Sequence, residues 1–600
     1  MNILNLKALH HYSAPKDSLK KKAMLFLINN MDAKKRLTTD ADKKIVPFYK
    51  EMYQSGLSNT FDFKEKYDNR LVLDPTSAYD LDANMITANE LIENVDLAFK
   101  AYQFPWAKKI PFDDFCEFVL PHKIMDEPKS NWRKFYLEKN KKLIDYLLKN
   151  KIDDPLEVCK ILNDSLFKRY KFYDKLQLPY PNLIALYQNP IGQCLQRYSL
   201  YTAMARSIGL PIAIDFIPQY GNYPGSHNWV TLVQKNKFSF NAGEKWEPAG
   251  FGGVKYFRNV YSNSSNTAAK GPMSNPNVID VSKEYTDRNI GNLTFGLNQM
   301  PPKALYLFAF GIGKEFVCLQ KAKIVGKKAV FNNVSYCESI LFVGYYDGDT
   351  IVPLENPFMM HGWTKNISYL TPTKNIVRNI RLFRKYPKNG FVEDVFYNEV
   401  TGAKIQGSNS KEFMAPQDIF TFKEYPENTD TVEFNNKLNF NYYRYLPNAT
   451  GQVNIAELHF IFDKEKAKPE EYYQFDSSFD NLNYLYDNNI ETYFASSSKQ
   501  NCIWVDRSKS QSKNIKAVKI IPRSTCNLIQ MGDNYELFYF DFGWKSLGSQ
   551  KATDSFIDFE SVPNNCLFLL KNVSQGSQER IFICENSTDT DTADTKQYFW

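Results

Sequence analysis

Residues 189–215 read NPIGQCLQRYSLYTAMARSIGLPIAID. Pro190 and Gly192 break the chain just before a helical stretch. Leu195, Tyr198, Leu200, Ala203, Met204 and Ile208 then supply an apolar side. Gly209 follows the last turn as a C′ residue, and Pro211 prevents continuation. Cys194 is therefore expected in the first turn of a largely buried helix. The free N–H groups and the dipole at such a turn favour a thiolate, the form in which cysteine attacks a carbonyl carbon. A core cysteine would fit the same apolar helix, so the residues that follow must separate the two readings.

Residues 211–217 read as a strand, and 218–226 as a loop containing Tyr220, Gly221, Pro224 and Gly225. HNWVTLV, residues 227–233, is a second strand whose first residue is histidine. A turn at 234–236 returns the chain as a third strand over 237–241. This hairpin is expected to bring His227 opposite residues 241–244. An amide or carboxylate from that stretch would fix the tautomer and orientation of the imidazole. The expectation is a Cys194–His227–Asn241 arrangement, with Glu244 as the alternative third member. Gln193 or Gln188 could donate to an oxyanion together with the Cys194 backbone N–H, and both also fit a structural role. Trp229 reads as core beside the site. The chain has only 6 His. His10, His11, His122, His361 and His459 lack metal-ligand spacing and read as structural.

A cysteine on a helix N-terminus followed by His and Asn on adjacent strands resembles the transglutaminase-like superfamily of papain-type fold. The residues that carry the resemblance are Gly192-Gln193-Cys194, Ala205-Arg206-Ser207-Ile208-Gly209-Leu210-Pro211 and Ser226-His227-Asn228-Trp229. Where that family often has Asp as third residue, this chain has Asn241, as papain-like relatives do. FDDFCEFVLPHKIMDEPKSNWRKFY, residues 112–136, is similar to the helical segment preceding the catalytic core in multidomain proteins of this kind from Bacteroidetes bacteria. The C-terminal region resembles a discoidin-type, galactose-binding-like sandwich. Its marks are Asp487-Asn488-Asn489-Ile490-Glu491-Thr492-Tyr493-Phe494, Ile520-Ile521-Pro522-Arg523, Gly532-Asp533-Asn534-Tyr535-Glu536-Leu537 and Trp544; Asp487 and Thr492 read as braces of one loop. Residues 442–458 resemble late strands of the same fold, which leaves one or two such modules open. The resemblance implies a cysteine acyl-transfer enzyme, hydrolysing an amide of a peptide or glycopeptide or transferring its acyl group to an amine. It also implies carbohydrate recognition. A non-catalytic carbohydrate-binding or adhesion protein on a transglutaminase-like scaffold is the alternative reading.

Composition bounds these readings. The chain has 600 residues, 43% hydrophobic and 24% charged, with 45 Phe, 38 Tyr and 8 Trp. So many apolar aromatics exclude disorder as the main state. No apolar run reaches the ~18–20 residues that a bilayer requires, so no transmembrane segment is expected. A net charge of +7 over 69.7 kDa is a weak field, and Lys20-Lys21-Lys22 reads as a solvated helix face, so no nucleic-acid partner is expected. The 9 Cys show no CxxC pair and form no disulfide framework. No metal or organic cofactor is implied. Residues 1–9 lack a signal pattern, so the chain is either intracellular or shorn of its signal peptide. The carbohydrate resemblance favours an extracytoplasmic setting, periplasm or cell surface.

The expected fold is multidomain α+β. A helical region covers 1–175, a papain-like transglutaminase core 176–275, a β-sandwich 276–387, and the discoidin-like region 388–600. Residues 88–101 are expected to form an amphipathic helix, and 262–275 and 365–374 to be loops or linkers.

Overall fold

Helix-forming and strand-forming runs segregate along the chain. Helices lie mostly before Ser207, and antiparallel strands fill most of the C-terminal half. The computed structural model describes all residues except 1–2, 33, 55–77, 168, 173–178, 222, 235–236, 242–251, 265–267, 286–288, 299–302, 363, 388–398, 425–429, 436–437, 450–452, 464, 475–481, 491, 497–501, 525–526, 576–578, 586–595 and 599–600. The described chain divides into two compact units, residues 1–310 with 316–368, and residues 311–315 with 369–600.

In the first unit, α1 (Ala88–Tyr102) buries Leu91, Val95, Ala98 and Phe99 along one face. Its start is a capping box: the Glu90 N–H donates to Thr87 Oγ1 at 3.3 Å, and the Glu90 carboxylate accepts the Thr87 N–H at 2.8 Å. Three more helices, α2 (Trp132–Lys139), α3 (Leu183–Gln188) and α4 (Cys194–Ser207), surround the expected site. A five-stranded antiparallel sheet follows, from β1 (Ile212–Ile217), β2 (His227–Gln234), β3 (Lys237–Asn241), β4 (Phe257–Asn259) and β5 (Val278–Asp280), in the order β3-β2-β1-β4-β5. The helices and this sheet share one buried cluster containing Trp106, Tyr136, Tyr201, Ile214 and Trp229. Later in the same unit, Leu293 and Phe331 from one small sheet pack with Leu307, Val343 and Phe358 from another, as in a β-sandwich.

Two large buried clusters lie in the second unit. Ile405, Tyr443, Tyr445 and Val505 of a five-stranded sheet pack against Ile455, Leu458, Phe460 and Val518 of a four-stranded one. Ile380, Leu382, Leu537, Phe559, Phe568 and Leu570 form the other cluster. The strand Thr373–Leu382 pairs antiparallel with Ile557–Asn564. The loop expected at 365–374 is therefore interrupted by Ile367–Tyr369 and by the start of this long strand. Its β-branched residues Ile367, Thr373 and Val377 suit pairing once a partner strand arrives from far along the sequence. Among the described residues, no helix is long and apolar enough to cross a membrane.

Candidate functional site

The helix carrying Cys194 begins and ends where the punctuation residues put it. Gly192 has φ +142, and a Cβ there would lie 3.1 Å from both Gln196 Cβ and the Tyr170 hydroxyl. Gln193 is the N-cap; its N–H donates to Gln196 Oε1 at 3.2 Å, and its carbonyl accepts from Tyr170 at 3.1 Å. Cys194 is the first residue of α4. At the far end the Leu210 N–H reaches the Ala205 carbonyl at 3.0 Å, and the Gly209 N–H reaches that of Arg206 at 3.2 Å. These two bonds make a Schellman stop. Gly209 takes φ +88, and a Cβ on it would meet the Ala101 carbonyl oxygen at 2.6 Å.

The sulfur meets the start of β2. Asn228 Nδ2 donates to Cys194 Sγ at 3.7 Å, within range for a sulfur acceptor. His227 precedes Asn228 as the first residue of β2. Its imidazole stacks on Tyr220 at 6.2 Å and on Trp229 at 5.8 Å, and meets the edge of Tyr198 at 6.4 Å. Tyr198 lies one turn along α4 from Cys194 on the same helix face. The imidazole thus borders the helix face that bears the thiol, but among the described residues no hydrogen bond joins it to Sγ. Burial, and secondarily the Arg197 charge, push His227 down to about 4, so the ring is neutral at pH 7.

Four tyrosines share a packed cluster with Cys194. Tyr198 is pushed up to about 12, first by burial, with a contribution from facing Cys194. Tyr170, Tyr180 and Tyr220 are raised further, again first by burial and in part by Cys194. All four hydroxyls stay protonated and able to donate. Burial pushes Cys116, Cys159, Cys337, Cys566 and Cys584 up to about 12, and Cys318 to about 11, which leaves them inert near neutral pH.

The hairpin after β2 forms as expected, with Gln234 opposite Lys237 and Val230 opposite Asn241. Asn241 therefore sits three positions along the strand from His227. Its side chain, and Glu244 altogether, lie outside the described residues. Gln188 is exposed at the end of α3.

A buried network beneath His227 was not singled out from the sequence. Asp215 of β1 is fully buried and accepts both arms of Arg258, each at 2.8 Å, and the Thr231 hydroxyl at 2.8 Å. The Tyr285 hydroxyl also donates to Asp215 and accepts the Trp229 indole N–H at 2.7 Å. Trp229, stacked on His227, is thus fixed from behind. The signal was available: a lone Asp in the apolar strand IAIDFI must find buried partners.

In the second unit, a cross-strand row runs Asp418, Gln406, Arg444, Trp504, Tyr473. Arg444 donates to Gln406 at 2.7 Å, and Tyr473 stacks on Trp504 at 4.5 Å while 41% exposed. Separately, the Thr492 hydroxyl donates to Asp487 at 2.7 Å and the Asn489 N–H does so at 2.9 Å, bracing their loop.

No protein-family model matches this chain, and no curated protein matches its sequence.

Proposed function

We propose that this protein is a cysteine-dependent acyl-transfer enzyme of the transglutaminase-like kind, acting on an amide bond of a peptide or glycopeptide. The observation that carries the reading is the meeting of Cys194, in the first turn of a buried helix, with the Asn228 amide at 3.7 Å and the neutral His227 beside it. Cys194 Sγ attacks the carbonyl carbon, an S–C bond forms, and the thiol proton passes to His227. The backbone N–H of Cys194 and the Asn228 amide support the developing oxyanion. The C–N bond breaks as His227 returns the proton to the departing amine, leaving a thioester. Water then releases the acid, or a second amine takes the acyl group. Gln193 shapes the helix start.

The reaction requires the His227 ring to turn from its aromatic stack toward the helix face that holds the thiol, a rotation about χ1 and χ2. A substrate displacing Tyr220 from the stack would permit it.

The row ending in the exposed Tyr473, stacked over the buried Trp504, supports a glycan-holding role for the second unit, since an aromatic face stacks on apolar sugar faces and Arg444 and Asp418 supply polar partners. It would raise the local concentration of a glycan-bearing substrate. An extracytoplasmic location is proposed on the same ground.

The test is trapping. A peptide bearing an electrophilic acyl donor, incubated with the full chain, is expected to leave a thioester on the tryptic fragment containing Cys194. Adducts spread over several cysteines, with none on that fragment, would overturn the proposal.

A further inference from the structure

A cleft of about 350 Å³ lies at the opposite end of α4 from the thiol, and its walls include Lys34, Lys35, Lys123, Arg206, Asn259 and Asn277. Arg206 is twelve residues after Cys194 on the helix, about 18 Å along its axis. The lining carries four cations, Lys34, Lys35, Lys123 and Arg206, against one carboxylate, Asp126. Asp126 is already engaged by Lys123 at 3.3 Å. Behind the wall, Asp82 is held by Arg36, by His122 at 3.0 Å and by Lys123 at 3.6 Å. Glu117 accepts the backbone N–H groups of Tyr261 and Ser262. Glu117 and Glu127 act on Lys34 and Arg206 only through space, and neither lines the cleft.

Lys34 is the unusual member. It is 6% exposed, yet its ammonium has no hydrogen-bond acceptor or ion-pair partner among the described residues; it rests over the Tyr261 ring at 4.3 Å. An ammonium carries three donors, and a ring face returns only part of what hydration supplied. Arg206 is similar. Its guanidinium donates to the Ile212 carbonyl at 3.0 and 2.7 Å, with no carboxylate in ion-pair range. Burial and the Lys123 charge lower Lys34 to about 8, against support from Glu117, Asp82 and Asp126. A negative group in the cleft would reverse that shift.

We propose that this cleft binds an oxyanion ester, phosphate or sulfate, carried on a polar body of sugar size. Lys34 and Arg206 take the oxyanion, and Asn259 and Asn277 face the body. The site is separate from the thiol site and does not depend on its chemistry. Calorimetric titration of the full chain at low ionic strength and pH 7, with inorganic phosphate, glucose 6-phosphate and glucose 6-sulfate, tests it. One saturable site is expected, tighter for an ester than for inorganic phosphate, and the two esters show which oxyanion is preferred. Lys34→Met keeps the bulk and removes the charge, and is expected to weaken binding at least about tenfold. Lys35 is exposed, so Lys35→Gln leaves the fold untouched and should weaken binding several-fold with a shallower salt dependence. Cys194 alkylation should be unchanged in both variants. Absence of saturable heat with all three probes, or equal affinity in the parent and both variants, would overturn the proposal. Equal affinity for inorganic phosphate and the esters would remove the sugar-sized body from it.

Discussion

Adjacent residues of one strand take different parts at the sulfur. Asn228 donates to Cys194 Sγ, and His227 is held neutral next to the helix face bearing it. Asn228→Ala is expected to lower kcat about 10²-fold with an unchanged melting temperature, since it removes a donor and no core volume. His227 also sets a pH dependence. Its folded value of about 4 lies below the ~6.5 of an unfolded imidazole, so the unfolded chain binds the extra proton between them. Stability is therefore fully present above about 6.5 and is lost as the pH falls toward 4. His227→Gln should flatten part of that loss in thermal melts, and His122, pushed down to about 4 mainly by burial, accounts for a further part. The acid limb of kcat/KM is expected near pH 4 for the same reason. Cys194 and His227 stood out in the sequence because nucleophile and base have recognisable residue types. The part played by Asn228 did not. A shift of one residue in strand phase changes which side chain meets the sulfur, and the sequence alone does not fix that phase against a helix thirty residues earlier.

At the scale of elements, α4 is the best-determined piece of the chain. Its limits follow from Gly192, Gly209 and Pro211, whose effects are local backbone chemistry and so can be read from neighbouring letters. Gly209→Ala forces a Cβ against the Ala101 carbonyl at a positive φ, and should cost about 1–3 kcal/mol in urea denaturation. The sheet under His227 depends instead on partners far apart in sequence. Asp215 joins Thr231, Arg258 and Tyr285, and none of these pairings follows from spacing. Asp215→Ala leaves Arg258 buried without its bidentate partner, and is expected to destabilise by about 3–5 kcal/mol. Asp215→Asn keeps the volume and should lose less.

For the whole molecule, the progression from helices to antiparallel strands was legible from composition and periodicity, because both are summed over many residues. The pairing of Thr373–Leu382 with Ile557–Asn564 was not, since antiparallel partners separated by so much chain leave no local mark. The same holds for the basic cleft, whose walls come from residues 34 to 277. The glycan-holding row predicts that Tyr473→Ala in the full chain loses binding on a glycan array while Cys194 alkylation is unchanged; equal binding by the variant removes that role. The central claim is that one thiol performs the chemistry. Its most direct test is turnover of a peptide and glycopeptide library by the parent chain and by Cys194→Ala, followed by mass spectrometry of the products. The parent is expected to consume a defined subset of the library and the variant none of it; consumption of that subset by the variant at the parental rate would contradict the account.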